Sequence, residues 1–292
     1  MKRMFLLLPL IVVPTQVTVA EFDSKLDFFY THQFNSNIDN GGEIGVTRGG
    51  FELRLSKKMT DHDSMKLKFK VQREDYDFGG VAGLGLQNPW NSIDTIDVGM
   101  AWFHAIDQDK TLFAAGLVRS SYEHDFSDGL VGGGSAGFIQ RYSPTFTLGL
   151  GVGILGQIHD DPYVTPVIVL DWEISENLRI SSDLVTRFGT QSGVELVWTP
   201  NTEWTLGVGI SYDYSRFRLN DSGIAPNGVG EVTSWPLSFR ATRHVSPDFD
   251  LTFYGGVVYN GEIRLIDQSR NQLSLDKYDE AGVIGIMGQI RF

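Results

Sequence analysis

Apolar and polar residues alternate without exception through Met65-Lys66-Leu67-Lys68-Phe69-Lys70-Val71-Gln72. A period of two puts Met65, Leu67, Phe69 and Val71 on one side of a β-strand and the three lysines with Gln72 on the other. Leu178, Ile180, Leu184 and Phe188 mark one face of a second segment, whose other face carries Arg179, Ser181, Asp183 and Arg187. The stretch 282–292 repeats the pattern. Phe292, Ile290, Gly288, Ile286, Ile284 and Gly282 form an apolar or small face, and Arg291, Gln289, Met287, Gly285 and Val283 a mixed one. Fourteen such segments are expected, at about 24–34, 44–57, 63–74, 93–104, 110–122, 132–143, 146–157, 163–174, 177–188, 192–199, 203–218, 231–244, 248–261 and 280–292. Twelve is the alternative count.

The connections between these segments sort by length. Those at 35–43, 75–92, 123–131, 219–230 and 262–279 are long and rich in Gly, Asn and Asp. The alternate ones are a few residues each, as at Ser143-Pro144-Thr145, Ser175-Glu176-Asn177, Thr199-Pro200-Asn201-Thr202 and Ser246-Pro247-Asp248. Two connections of the first set, near Asp160 and Thr190, are short and weaken the sorting without reversing it. Short turns at one end and long loops at the other are what an antiparallel transmembrane up-and-down β-barrel requires. The short turns also copy one another: Tyr142-Ser-Pro-Thr-Phe146 resembles Val245-Ser-Pro-Asp-Phe249. Proline sets the turn dihedral and the aromatic restarts the strand. Aromatics sort by depth, with Trp102, Trp172, Trp198, Trp204, Phe146, Phe249 and Phe292 near the turn ends. Tyr122, Tyr163, Tyr214, Trp235 and Tyr259 fall near the loop ends, giving two girdles at headgroup level.

The first twenty residues add an address. Lys2 and Arg3 precede an apolar run from Phe5 to Val13, and Thr18-Val19-Ala20 puts small residues before Glu21. This is the pattern of a secretory signal peptide, residues 1–20, with the barrel expected over 21–292. No segment has the roughly eighteen uninterrupted apolar residues of a transmembrane helix. The formal net charge of −12 argues against nucleic acid as a partner, since phosphate binding needs a basic surface. With no cysteine there is no disulfide framework, thiolate chemistry or Cys-based metal site. The 33 glycines suit an all-β chain with tight corners.

A strand that is apolar outward, more polar inward and closed by Phe292 resembles the last strand of bacterial outer-membrane β-barrels. In such families Ile290 and Phe292 would belong to the signal read by the barrel-assembly machinery. Together with the Asp279-Glu280 lead-in and the length, essentially the whole mature chain resembles a broad family of outer-membrane β-barrels described only as a domain of unknown function. The resemblance implies a fold and an outer-membrane lipid environment, and brings no activity. Long-chain fatty-acid transporters are also fourteen-stranded but carry an N-terminal plug. Here a plug would have to come from an infolded loop, 75–92 or 262–279.

With the apolar faces on lipid, the lumen collects Glu52, Arg54, Lys66, Lys68, Lys70, Asp171, Glu173, Arg179, Asp183, Arg187, Glu195, Asp213, Arg240 and Arg291. Two functions follow. The charges line a passage for small polar solutes, with the lysine row favouring anions, or they pair across a filled barrel. Passage is the expectation, with a structural or surface barrel as the alternative. Lipid hydrolysis at a barrel surface needs His and Ser within hydrogen-bond reach. His124-Asp125-Phe126-Ser127-Asp128-Gly129 only faintly resembles the phospholipase motif, and its spacing fails. His62-Asp63-Ser64 and His244-Val245-Ser246 have the spacing but fall at turns, so no enzyme is expected. The acidic clusters at Asp75/Asp77, Glu123/Asp125/Asp128 and Asp160/Asp161 lack calcium-loop spacing. No metal or cofactor is expected.

Overall fold

The computed structural model describes residues 22–182 and 193–292. Residues 1–20, expected as a signal peptide, lie outside them, as do Asp183 and Arg187. In chain order the strands are β1 (Asp23–Asn37), β2 (Glu43–Lys58), β3 (Asp63–Gly79), β4 (Ser92–Ala105), β5 (Lys110–Tyr122) and β6 (Leu130–Ser143). They continue with β7 (Phe146–Gln157), β8 (Asp160–Ser175), β9 (Leu178–Ser181), β10 (Gly193–Asn201) and β11 (Trp204–Ser211). The last are β12 (Asp213–Arg218), β13 (Val229–Ser246), β14 (Phe249–Ile266), β15 (Gln272–Tyr278) and β16 (Ala281–Arg291). A single-turn helix, α1 (Gly83–Gln87), sits between β3 and β4.

Each strand pairs antiparallel with the next around a ring, and β1 closes on β16. Fourteen strands make the closed barrel, because β12 and β15 are not separate staves. β12 follows β11 after a break at Tyr212 and pairs with the loop-end half of β13. β15 pairs with the loop-end half of β14, and β16 takes over below it. The stretch 203–218, expected as one strand, is therefore two, and much of 262–279, expected as loop, is a hairpin projecting past the barrel wall. Likewise 75–92 carries the end of β3 and the helical turn α1.

The alternation that predicts the strands also sets their faces. Phe28 and Tyr30 project outward from β1, and Ile284, Ile286 and Ile290 from β16, while Val283 and Met287 are buried inward. Apolar side chains cover the outside because no water is present there to reward polar ones. Short turns gather at one end. In two of them a serine hydroxyl, Ser143 or Ser246, accepts the backbone N–H two residues on, beside the proline expected there. That shared hydrogen bond explains why the turns look like copies.

Candidate functional site

The sequence-nominated charges can be followed rung by rung. Directly opposed strand residues share a face, so one in-register row runs Arg291, Lys25, Arg54, Lys68, Gly99, Leu117, Gly133, Leu155. Four adjacent strands give this rung a cation and the next four a glycine or leucine. The rung toward the turns reads Asp23, Ser56, Lys66, Ala101, Ala115, Ser135, Gly153, Thr165. Toward the loops the row runs Gln289, Asp27, Glu52, Lys70, Asp97, Arg119. This layer's carboxylates bind Arg54 and Lys68 of the cation layer and Arg119 of their own: Arg54 reaches Asp27 at 2.5 Å and Glu52 at 3.4 Å, and Arg119 and Lys68 reach Asp97 at 2.6 and 3.5 Å.

The lumen is thus divided lengthwise. At the level of the first two rungs its wall over β5 to β8 is apolar or small, and just toward the turns Phe113 lies against Gly137 and Gly151. A Cβ at either glycine would sit 2.5 or 2.8 Å from the ring, so only glycine leaves room for it. Elsewhere the wall is polar, and its buried charges are paired, as they must be away from water. Arg240 holds Glu195 through two hydrogen bonds of 2.7 and 2.9 Å. Arg48 meets Glu74 at 2.8 Å and lies 3.8 Å from Asp213. Arg179 grips Asp171 at 2.6 and 2.7 Å, and a turn-end cavity of about 360 Å³ collects Glu173, Arg179, Glu195 and Arg240.

Among the described residues, an apolar cluster fills the lumen near the loop end. Beneath its rim, Tyr76, Phe78, Trp90 and Phe217 pack with ring centroids 5.1–6.3 Å apart, joined by Ile44, Leu84, Ile93 and Ile263. Trp90 and Phe217 are essentially inaccessible to solvent. Phe217 is carried there by β12, which crosses the mouth as a strap. One side of β12 pairs with β13, and its end meets β5 through an Arg218–Tyr122 bridge, bypassing β6 to β10. The Glu123 N–H donates to the Arg218 carbonyl at 2.9 Å, and its carboxylate accepts from the N–H groups of Asn220 and Asn91. Arg216 on the strap bonds the Ile158 carbonyl and Glu231, and Tyr214 bonds Gln157 and stacks on Tyr163. Tyr163 and Tyr214, expected in the outer girdle, therefore face inward. The nominated infolding segment 75–92 does contribute, through Leu84 and Trp90, and 262–279 through Ile263, Leu265 and Tyr278. The strap itself, expected as the end of the wall strand over 203–218, went unrecognised because Phe217 stands among polar residues.

A further network was missed. His244 Nδ1 donates to Asp250 at 2.8 Å, and its Nε2 meets the Thr205 hydroxyl at 2.9 Å. Arg291 also binds the Asp250 carboxylate. The relay ties β11, β13, β14 and β16 together at the turn end. Ile290 and Phe292 are exposed on the outside of β16, and the Phe292 N–H bonds the Ser24 carbonyl at 3.0 Å.

A closed fourteen-strand ring, apolar outside and charged within, defines a transmembrane β-barrel of the outer-membrane type. The chain belongs to the family described as a domain of unknown function (DUF6268), which matches residues 20–272. No curated protein matches it in sequence. Among solved structures it is similar to the COG4313 outer membrane channel from Pseudomonas putida F1, with 12% identity over 96% of this chain and 100% of that one and a TM-score of 0.47. A NanC porin matches with 9% identity over 91% of this chain and 100% of that one, at a TM-score of 0.42. A Pseudomonas aeruginosa FadL homologue matches with 11% identity over 94% and 91%, at 0.36.

Proposed function

We propose that this protein is a passive outer-membrane channel for small polar solutes that rests closed at its loop end. The observation that carries this is the construction of the closure. A single strap, β12, and the aromatic cluster beneath it seal the mouth, while the turn-end lumen keeps cavities lined by charge. A strap that is not a stave of the wall can swing aside with the ring intact, whereas a core filling the barrel cannot. Lys25, Arg54, Lys66 and Lys68 give the turn-end vestibule its anion preference. The chain is exported by its N-terminal signal segment, inserted in outer-membrane lipid by the barrel-assembly machinery, and acts without cofactor or catalysis. In this proposal Thr205, His244 and Asp250 are a clamp between strands, not a hydrolytic relay.

Single-channel current in planar bilayers tests the proposal. Wild-type protein should give rare openings, and Phe217→Ala, which removes the side chain pressed between Tyr76 and Trp90, frequent ones. Absence of conductance in both, with the barrel still folded, would sink it in favour of a structural barrel. That second reading draws on the Arg240–Glu195 and Arg48–Glu74 pairs, which fill lumen space.

A further inference from the structure

The turn-end vestibule is a cavity of about 380 Å³ whose two flanks differ in kind. One flank brings Lys25, Arg54, Lys66 and Lys68 from β1, β2 and β3; the other brings Ala101, Ala115 and Leu117 from β4 and β5. Acid is scarce here: Asp23 is the one carboxylate among the lining residues described. Arg54 and Lys68 spend part of their charge on the acidic layer above. Lys25 and Lys66 have no carboxylate within ion-pair distance among the described residues. The Lys66 ammonium instead lies 5.1 Å from the centre of the Phe103 ring. Beyond Leu117 the same rung continues through Gly133 and Leu155, so the apolar flank opens onto a longer apolar wall.

A purely hydrophilic solute gains nothing from such a wall, and an apolar one gains nothing from four cations. From this division we infer that the vestibule is a binding site for small amphiphilic anions, namely monocarboxylates with an aromatic or short aliphatic body. The carboxylate would sit among Lys25, Lys66 and Arg54, where charge-assisted hydrogen bonds are strongest. The body would lie on Ala101, Ala115 and Leu117, exchanging water for apolar contact. The volume falls in the range of about 300–1,000 Å³ usual for small-molecule sites. This inference deepens the channel reading by naming its solute class, and rests on it for the idea that the bound anion moves on.

Calorimetric titration of the full-length protein in lipid nanodiscs, at neutral pH and against empty nanodiscs, tests it with three probes. Benzoate has charge and body, benzamide the body alone, and acetate the charge alone. Benzoate should bind about tenfold or more tightly than either, one charge-assisted contact being worth about that factor. Lys25→Gln with Lys66→Gln should bring benzoate down to the benzamide level, and Leu117→Asn should weaken benzoate while leaving acetate unchanged. Lys66→Gln alone, a milder change, should give an intermediate loss, which keeps the test valid where the double variant fails to assemble. Equal affinities for benzoate and benzamide, or an unchanged value in Lys66→Gln, would overturn the site. Planar-bilayer current separates the two proposals: binding without conductance removes the channel and keeps the site, and conductance without benzoate binding does the reverse.

Discussion

His159 stands at the turn between β7 and β8 with a left-handed backbone, φ 57°, and its Nε2 faces the Arg218 guanidinium at 2.5 Å. Arginine has no acceptor, so this nitrogen must accept and the ring must be neutral. Burial, followed by the charges of Arg218, Arg270 and Arg216, pushes the imidazole below its ordinary value, with Asp128 opposing. A depressed histidine supports the fold above its unfolded pKa of about 6.5, and that support is lost as the pH falls through the folded value. Acidifying the loop side therefore sets a cation against the end of the strap. Channel current should rise in mild acid, and His159→Gln should abolish the rise; a persistent acid response in that variant would assign it elsewhere. Arg240 and Glu195 make the complementary case of a charge pair that must stay whole. Removing one partner from a buried pair costs about 3–5 kcal/mol, whereas replacing both by apolar groups of similar size is often neutral. Arg240→Ala should thus unfold at lower denaturant concentration than the double variant Arg240→Met, Glu195→Leu. The reverse order would show that the pair itself carries net stability.

The strands that read most clearly in the sequence, β3 and β16, are those with lipid on one face and lumen on the other. Lipid demands an apolar residue at every second position, so the signal is dense. Past the rim that demand lapses. The β14–β15 hairpin has polar residues in both strands, with Glu262 opposite Lys277, Arg264 opposite Leu275 and Gln272 opposite Ile266, and reads as a loop. The break at Tyr212 was invisible for another reason: β12 leaves the wall to meet β5, a partner nearly a hundred residues away in sequence, and no local pattern encodes that. For the site, the inward lysines, Glu52, Arg54, Glu195 and Arg240 were legible from parity alone. The cap was legible only as two segments able to fold inward, 75–92 and 262–279; its aromatic centre was not, because Trp90 and Phe217 have no alternating neighbours to flag them. The strap can be tested directly, since the chain has no cysteine to interfere. Tyr122→Cys with Arg218→Cys places a thiol on each side of the parallel bridge, where adjacent strands lie within disulfide reach. Oxidation should suppress channel openings and reduction restore them; identical currents in both states would show that β12 does not move.

The barrel wall is built from neighbours in sequence everywhere but at one place. β1 bonds β2, and so on around the ring, until β1 must also bond β16, with Asp27 and Gln289 in contact across 262 residues of chain. Every other antiparallel pair in the wall forms across a far shorter excursion, so this seam carries the largest loop-closure entropy of all. Until it forms, β1 offers a bare edge of unpaired amides, the surface on which strands of separate molecules recruit one another. The seam is therefore where the kinetics of maturation concentrate. A bulky substitution such as Gly282→Val, whose side chain would crowd the Phe34 ring on β1, should retard the appearance of the compact, heat-resistant form in timed refolding, more than an equivalent insult at β6–β7. A lag confined to such seam variants would identify ring closure as the bottleneck, and the exposed first edge as the hazard that a chaperone in transit must cover.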